Sequence, residues 1–283
     1  MNEQTISQIL VNVWDLCFRR RVITILSYLN VKDHDLVLDC GCDEGFYGMI
    51  LSEVYKPSVV GLDVDINTLK MAKKRLGIYP SNFLIRGDAT RIPFKDETFD
   101  KAILSELLEH VLDDREVLKE VYRVLKPGGT IGITVPNRNY PFLWDPLNKM
   151  RESMGLGHFG PADSLISGIW SGHLRLYYPQ QIKKLVESVG FKVERIDPIT
   201  YYCIPFNHII LDIGKAFYTH ISIPQLYEAM EKFEWRKTRL NSSLNPVYIT
   251  RRIMYAIDKL NDRFCGTTKP SVCVALKAVK PTR

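Results

Sequence analysis

The chain has 283 residues, of which 46% are hydrophobic and 25% charged, and its formal net charge is +6. This composition is that of a globular protein with a sizeable core, and it excludes a disordered or fibrous chain. No apolar run reaches the roughly 18 to 20 residues of a membrane-spanning helix, and the N-terminal charges follow the apolar stretch instead of preceding it as in a secretory signal, so we expect a cytoplasmic location.

The N-terminal part predicts a helix or a helix pair between Ile6 and Leu29. It carries a short basic cluster, Arg19 to Arg21. Such clusters are usually solvated helix faces, and the alternative is a surface for a polyanion such as RNA or anionic lipid headgroups. We assign residues 1–30 to a helical cover.

From Asp35 to Val135 the sequence alternates between strands and helices. Asn67 is placed to cap a helix that ends at Gly77, and Pro127 with the glycines after it ends a second one. Strands and helices at this spacing predict βαβ units and a doubly wound, mostly parallel sheet of Rossmann-like type. The five predicted strands are DLVLDC, SVVGLD, NFLIRGDA, FDKAILSEL and TIGITVP.

The sequence after this core predicts an irregular cover, two further strands and an insertion between them. Pro179 begins a helix, Gly190 suits a left-handed cap, and FKVERI and SVCVALKAV complete a seven-stranded sheet. Within the insertion, apolar residues repeat every four positions over 206–221, which predicts an amphipathic helix. The expected domains are 1–30, a core at 31–136, a substrate-side lid at 137–178, the rest of the core sheet at 179–198 and 271–281, and a helical insertion at 199–270.

The stretch LVLDCGCDEGFYG places Asp39 at the tip of a buried strand, with Gly41 and Gly45 directly after it. Such a loop is either shaped around a ligand or an ordinary strand-to-helix turn. Asp63 ends the second predicted strand, where a carboxylate can accept the two hydroxyls of a ribose. Asp39 would repel a pyrophosphate and attract an ammonium group, which favours S-adenosylmethionine over NAD.

Five motifs occur in a recognisable order: VLDCGCDEG, VVGLDVD, GDATRIPFKDETFD, SELLEHV and LKPGG. With them the chain resembles the class I S-adenosylmethionine-dependent methyltransferases, especially the group that includes quinone-biosynthesis and small-molecule enzymes. The resemblance is strong over about residues 35–135 and looser through 173–191. It implies S-adenosylmethionine as the cofactor and methyl transfer as the activity.

The resemblance also assigns roles to residues of the core. Asp63 and Asp88 also fit the alternative of simple turn or cap residues. The implied cofactor contacts are Asp39, Gly41, Cys42 and Gly45 with the methionine part, Asp63 with the ribose, Val64 beside the adenine, Asp88 with its amino group, Ala89 behind its ring, and Ser105 closing the pocket.

One position departs from the family pattern. Asp43 stands where the family loop usually has glycine. Aspartate is among the non-glycine residues that best tolerate positive φ, so we expect the backbone path to survive and the Asp43 side chain to point away from the carboxylate group of the cofactor.

Two histidines are candidates for the base that removes a proton from a hydroxyl acceptor. His110 follows the fourth predicted strand, and His173 lies in the predicted lid. The structural alternative is that His110 caps or bridges a helix and that His173 anchors the lid. Glu106 and Glu109 could contribute, but ELLEH is also typical of a plain helix start.

The aromatic residues of the lid and insertion either pack the core of a subdomain or line an apolar pocket or a membrane contact. We expect a lipophilic, aromatic or lipid-linked small molecule as the acceptor, methylated on oxygen with carbon next. SELL is unlike the tetrapeptide of many nucleic-acid base methyltransferases, which disfavours a nucleic-acid substrate. The six cysteines form no CxxC pair, so we expect free thiols and no metal site. The alternative functions are a non-catalytic cofactor-binding or partner-docking protein and, further off, an RNA methyltransferase or a NAD enzyme.

Overall fold

The computed structural model describes residues 3–13, 15–160, 167–201, 232–233, 246–262 and 270–282. The strands are β1 (Leu36–Cys40), β2 (Ser58–Asp63), β3 (Asn82–Arg86), β4 (Phe99–Ser105), β5 (Leu125–Pro136), β6 (Lys192–Ile199) and β7 (Cys273–Val279). The α-helices in these ranges are α1 (Glu3–Ile9), α2 (Leu16–Leu29), α3 (Phe46–Val54), α4 (Ile66–Leu76), α5 (Asp114–Val124), α6 (Pro146–Ser153), α7 (Pro179–Glu187) and α8 (Pro246–Asp262). Short 3-10 helices lie at Leu10–Asn12 and Gly168–Trp170.

The seven strands form one sheet in the order β3-β2-β1-β4-β5-β7-β6. The first five strands run parallel, and β7 is antiparallel to both β5 and β6. The predicted doubly wound, mostly parallel sheet of seven strands is therefore confirmed. The chain runs from β1 outward to β3 and then crosses to β4 on the other side of β1, so the order reverses between β1 and β4. Ligands of such sheets bind beyond the carboxyl ends of the strands at that reversal.

Helices cover both faces of the sheet, because alternate side chains of a strand point to opposite faces. On one face, Leu38 and Leu104 belong to a buried cluster that includes residues of α5 and α7. On the other face, Val37 and Ile103 belong to a cluster with residues of α1, α2 and α3. Burial on both sides holds the carboxyl ends of β1 and β4 in place, and the candidate site lies at those ends.

The helix ends differ from the prediction at three places. Helix α5 ends at Val124, and Pro127 with the glycines after it lies in β5. Asp65, not Asn67, caps α4, because its carboxylate accepts a hydrogen bond of 2.8 Å from the backbone N–H of Asn67. Gly77 is the C-terminal cap of α4, as predicted. Helix α7 begins at Pro179 as predicted but ends at Glu187 with Ser188 as its cap, so Gly190 lies beyond the helix end.

Two described segments lie between β5 and α7. Residues 137–160 and 167–178 contain α6 and a 3-10 helix, and the backbone N–H of Leu174 donates to the carbonyl of Glu109 over 2.8 Å. The predicted helix at 206–221 lies outside the described residues, whereas α8 lies within the predicted insertion. No helix in the described ranges is both long and apolar enough to cross a membrane.

Candidate active site at the carboxyl ends of β1, β2 and β4

The loop between β1 and α3 contains three residues in the left-handed region, Gly41 (φ +78°), Asp43 (φ +46°) and Gly45 (φ +83°). The backbone N–H groups of Gly41 and Cys42 both donate to the carbonyl of Leu62, over 2.8 and 3.1 Å. Asp43 adopts the positive φ that a glycine would adopt, and its side chain is exposed. The predicted backbone path is therefore kept despite the substitution.

The two loop glycines are also required by packing. A Cβ at Gly41 would lie 3.0 Å from Leu107 Cδ1, and one at Gly45 would lie 2.7 Å from Leu76 Cδ1. The Cys42 thiol is buried, and its Sγ would lie 2.9 Å from a Cβ at Gly61, so the thiol packs against β2. These glycines thus do not by themselves indicate a ligand, and a cofactor contact from Cys42 would have to use its backbone.

The Asp39 carboxyl at the end of β1 is the stronger indication of a ligand. Asp39 is 2% exposed. Burial, then the neighbouring charges of Asp63 and Asp43, raise its pKa from the ordinary 3.8 to about 7. Within the described ranges it forms no ion pair. A cationic ligand would therefore fit this position, because it would relieve both the burial and the repulsion.

Asp63 connects the two loops that follow β1 and β2. Its Oδ2 accepts from the backbone N–H of Asp43 and its Oδ1 from that of Asp65, both over 2.9 Å. These bonds are what a turn-forming aspartate makes, and each carboxylate oxygen keeps a further lone pair for a ligand. Val64, predicted beside the adenine, is 65% exposed next to this carboxylate.

Asp88 and Ala89 follow β3 at the same edge of the sheet. Oδ1 of Asp88 accepts from the backbone N–H and the hydroxyl of Thr90, both over 2.8 Å, and these bonds lower the pKa of Asp88. Ala89 is half-buried against the core. The carboxylate of Asp88 therefore shapes the turn, and its contact with an adenine amino group stays a prediction.

Ser105 at the end of β4 lies within a small hydroxyl network. Tyr47 Oη donates to Ser105 Oγ over 3.1 Å, and Thr134 Oγ1 lies 3.1 Å from the same atom. Tyr47 belongs to α3, directly after the glycine loop, and Thr134 to β5. The network joins the predicted cofactor loop to the strand ends, and neither partner of Ser105 was predicted from the sequence.

The arginines of the N-terminal cluster all pair with carboxylates of other elements. Arg21 Nη1 lies 2.9 Å from Glu106 Oε2, Arg20 Nη2 lies 2.8 Å from an Asp262 carboxylate oxygen, and Arg19 contacts Asp258. Reading this cluster as a solvated face or a polyanion surface was wrong, because each guanidinium is engaged within the fold. Glu106 has a positive φ of +55° and also accepts from the Cys273 thiol over 3.3 Å.

The structure brings the two predicted catalytic histidines together. The rings of His110 and His173 lie edge to face, with centroids 4.8 Å apart. His110 Nδ1 is 2.9 Å from the carbonyl of Gly172, and His173 Nδ1 is 2.6 Å from that of Ile169. Both the catalytic and the lid-anchoring interpretation fit these contacts. Burial lowers the pKa of His173, which favours its neutral imidazole.

Glu109 lies beside the histidines and is fully buried. Neither of its carboxylate oxygens has a hydrogen-bond partner. Burial, and then the charge of Glu106, raise its pKa well above the ordinary value. Residues 106–110 form a bend and a turn after β4 rather than a helix start, so the helix interpretation of ELLEH was wrong. The sequence predicts Glu109 only as a possible contributor to removal of the acceptor's proton.

Comparisons with known proteins agree with this geometry. A family model described as a methyltransferase domain matches residues 38–133. A demethylmenaquinone methyltransferase of Staphylococcus aureus is 34% identical over 189 residues, which are 65% of this chain and 77% of that protein. A demethylmenaquinone methyltransferase of Lysinibacillus sphaericus is 38% identical over 108 residues, which are 38% of this chain and 46% of that protein.

Among solved structures, a putative sarcosine dimethylglycine methyltransferase from Galdieria sulphuraria shares the fold with a TM-score of 0.56 at 13% identity. That match covers 93% of this chain and 86% of the other. Against several curated relatives, the chain spans less than half of their length. The strand order, the matched domain and the Staphylococcus relative show that this chain belongs to the class I S-adenosylmethionine-dependent methyltransferases.

Proposed function

We propose that this protein transfers a methyl group from S-adenosylmethionine to a lipophilic, aromatic or lipid-linked small molecule. The observation that carries the proposal is the buried Asp39 carboxyl, which lies at the reversal of strand order without an ion-pair partner in the described ranges. An ammonium group there would be favourable and a diphosphate would not, because the charge of Asp63 adds to that of Asp39.

The residues around this carboxyl would each hold one part of the cofactor. Bound S-adenosylmethionine supplies an activated methyl group on a sulfonium. The loop backbone at Gly41 and Gly45 would approach the methionine part, and Asp63 would accept the ribose hydroxyls with lone pairs not used by its two backbone donors. Asp88 and Ser105 would line the adenine and the sulfonium end, as the resemblance implies.

His110 and His173 would lie on the acceptor side and assist removal of the acceptor's proton. Oxygen is the proposed methylated atom, because a base helps most when a hydroxyl is the nucleophile. The second candidate is a ring carbon beside such an oxygen, which the printed names of the demethylmenaquinone relatives favour. In both cases the enzyme mainly aligns the nucleophile and excludes water.

Exposed apolar side chains on the segment after β5 support a lipophilic acceptor and peripheral membrane contact. Six of them lie within fifteen consecutive residues, on and around α6. A group of exposed apolar side chains of this kind is typical of a surface that contacts an apolar ligand or a membrane. These side chains are Phe142, Leu143, Leu147, Met150, Met154 and Leu156.

A non-catalytic cofactor-binding or partner-docking protein is the other candidate. The observation that favours it is Asp43, which places a third carboxylate near Asp39 and Asp63 in a loop that usually carries glycine. The Asp43 carboxylate would repel the carboxylate group of a bound S-adenosylmethionine, and a docking role needs no turnover.

Calorimetric titration with S-adenosylmethionine tests the cofactor assignment. We expect binding in about the micromolar range, lost in Asp63→Ala and unchanged in Asp33→Ala, whose carboxylate is exposed and pairs with His34. Equal binding by both variants would refute the ribose assignment, and a preference for NAD would refute the cofactor.

Transfer of a radiolabelled methyl group to aqueous and lipid metabolite fractions then separates enzyme from binder. We expect label in the lipid-soluble fraction, and nuclear magnetic resonance of the product distinguishes an O-methyl from a C-methyl group. Cofactor binding without transfer to any fraction would favour the non-catalytic candidate.

A further inference from the structure

A cluster of three metal-ligand side chains lies beyond the end of β4. Glu109, His110 and His173 each offer a ligand atom, and these atoms all lie within 4.8 Å of one another. Glu109 and His110 belong to the turn that follows β4, whereas His173 belongs to the segment that follows β5. The cluster therefore joins two parts of the chain that are separated by more than sixty positions.

Both imidazoles are oriented as metal ligands usually are. Nδ1 of His110 contacts the carbonyl of Gly172 over 2.9 Å, and Nδ1 of His173 contacts that of Ile169 over 2.6 Å. A carbonyl can only accept, so Nδ1 of each neutral ring carries the proton and Nε2 keeps a free lone pair. Metal-ligating histidines are fixed in this way, by donating their other ring N–H to a carbonyl or carboxylate.

Glu109 supplies the second, independent observation. Its side chain is fully buried, and neither carboxylate oxygen has a hydrogen-bond partner. Oε1 of Glu109 lies 4.0 Å from Nε2 of His110, beyond hydrogen-bond distance. A buried carboxyl without a hydrogen bond is costly, and buried charges are normally paired or coordinate a metal. The nearby guanidinium of Arg21 pairs with Glu106 instead, over 2.9 Å. Glu106 is thus already engaged, and Glu109 is the acid left for a cation.

We propose that Glu109, His110 and His173 form a three-ligand site for a divalent first-row cation of the zinc type. Two imidazoles with one carboxylate suit Zn²⁺, Co²⁺, Ni²⁺ or Fe²⁺, and Mg²⁺ or Ca²⁺ much less. Ligand atoms lie about 2.0 to 2.2 Å from such an ion, so in a tetrahedral site two of them are roughly 3.3 to 3.6 Å apart. Side-chain movements on the order of 1 Å would bring the three atoms to that separation.

Three protein ligands leave the fourth position open, as catalytic zinc sites do. The ring of His110 is half-exposed, so the site borders on solvent. If the proposed function holds, the open position would bind the acceptor's hydroxyl oxygen and favour loss of its proton, and the two imidazoles would then act as ligands of the ion instead of removing that proton themselves. The substrate class would then be an acceptor with a phenol- or enol-type oxygen that can coordinate the ion.

The test uses the full chain, stripped with a chelator and titrated with Zn²⁺, and separately with Mg²⁺. We expect one Zn²⁺ per chain, no comparable Mg²⁺ binding, and the visible absorption of tetrahedral Co²⁺ when that ion is used. Glu109→Gln and His173→Ala should each weaken Zn²⁺ binding by about 10- to 100-fold or more, because loss of even a residue that only orients a metal ligand has an effect of that size. His34→Ala, a variant of an exposed histidine paired with Asp33, should leave binding unchanged.

His110→Ala is a third variant, at a half-exposed position where a folding failure is least expected. Circular dichroism identifies any variant that has not folded. Absence of Zn²⁺ binding by the wild-type chain, or equal binding by all variants, overturns the metal site. Titration with S-adenosylmethionine on the same samples measures cofactor binding separately from metal binding. Cofactor binding without Zn²⁺ binding refutes only the metal site, and Zn²⁺ binding without cofactor binding refutes only the proposed function.

Discussion

The backbone N–H of Asp43 donates a 2.9 Å hydrogen bond to Oδ2 of Asp63, so the loop after β1 is attached to the acid that ends β2. Asp43 makes this bond from the left-handed region, at φ +46°. The bond needs only the backbone of residue 43, whereas the side-chain carboxylate would repel the carboxylate group of a bound S-adenosylmethionine. Backbone and side chain at this position therefore act in opposite directions on a bound cofactor.

Asp43→Gly should keep the bond to Asp63 and bind S-adenosylmethionine more tightly. Relief of the left-handed strain and the larger backbone entropy of glycine nearly cancel, so unfolding free energy should change by about 1 kcal/mol or less. Asn30→Gly is the matched control, because Asn30 has φ +45° at the end of α2, far from the loop in sequence. Urea unfolding and calorimetry measure both effects, and tighter cofactor binding in the Asn30 variant would contradict the account.

Asp39 should make the stability of the free protein depend on pH. Its pKa is about 7 in the folded state and near 3.8 in the unfolded state, so the folded state holds the extra proton between those values. The stability that Asp39 contributes is therefore fully present below about pH 4 and is lost as the pH rises to about 7. This loss lowers the free energy of unfolding by roughly 4 kcal/mol at most. Unfolding of wild type and Asp39→Asn at about pH 5 and pH 8 measures this, and we expect the variant to gain stability over wild type at the higher pH. A constant difference would contradict the assignment.

Arg21 should stabilise the fold through Glu106, because their side chains are only 17% and 18% exposed. Arg21→Ala would leave the Glu106 carboxylate without its cation and near the buried Glu109, and we expect a loss of about 3 kcal/mol. Lys119→Ala removes an exposed pair with Glu116 and should cost less than about 1 kcal/mol. Equal losses in the two variants would show that the pair contributes no more than a surface contact.

Gly45→Ala should destabilise the protein more than Gly157→Ala. Both glycines have positive φ, +83° and +68°. An alanine Cβ would lie 2.7 Å from Leu76 Cδ1 at position 45, but it would meet nothing within 4 Å at position 157. We expect about 1 to 2 kcal/mol at Gly157 from backbone strain alone, and about 1 to 3 kcal/mol more at Gly45 from overpacking. Thermal unfolding of the two variants gives the comparison, and similar melting temperatures would refute the packing argument.

The sheet could be predicted because its strands are short apolar runs bounded by turn residues, as in LVLDC before Gly41 and SVVGLD at Asp63. Helix caps were less certain, since Asp65 and Asn67 are both good capping residues and only the geometry of the turn selects Asp65.

Contacts between distant parts of the chain could not be predicted. The partners of Arg19 and Arg20 lie in α8, more than 230 positions away, and local charge gives no sign of them. Likewise, the burial of Glu109 depends on the segment that contains His173, whose backbone passes over the turn after β4. A single sequence contains no record of such a contact.

The central claim is that the Asp39 carboxylate binds the ammonium group of the cofactor. The most direct test compares S-adenosylmethionine with an analogue that lacks the α-amino group, on wild type and Asp39→Asn. A charge-assisted contact is worth about 1.5 to 3 kcal/mol, so wild type should lose roughly 10- to 100-fold in affinity without the amine, and the variant should lose little. An equal loss in both proteins would contradict the claim.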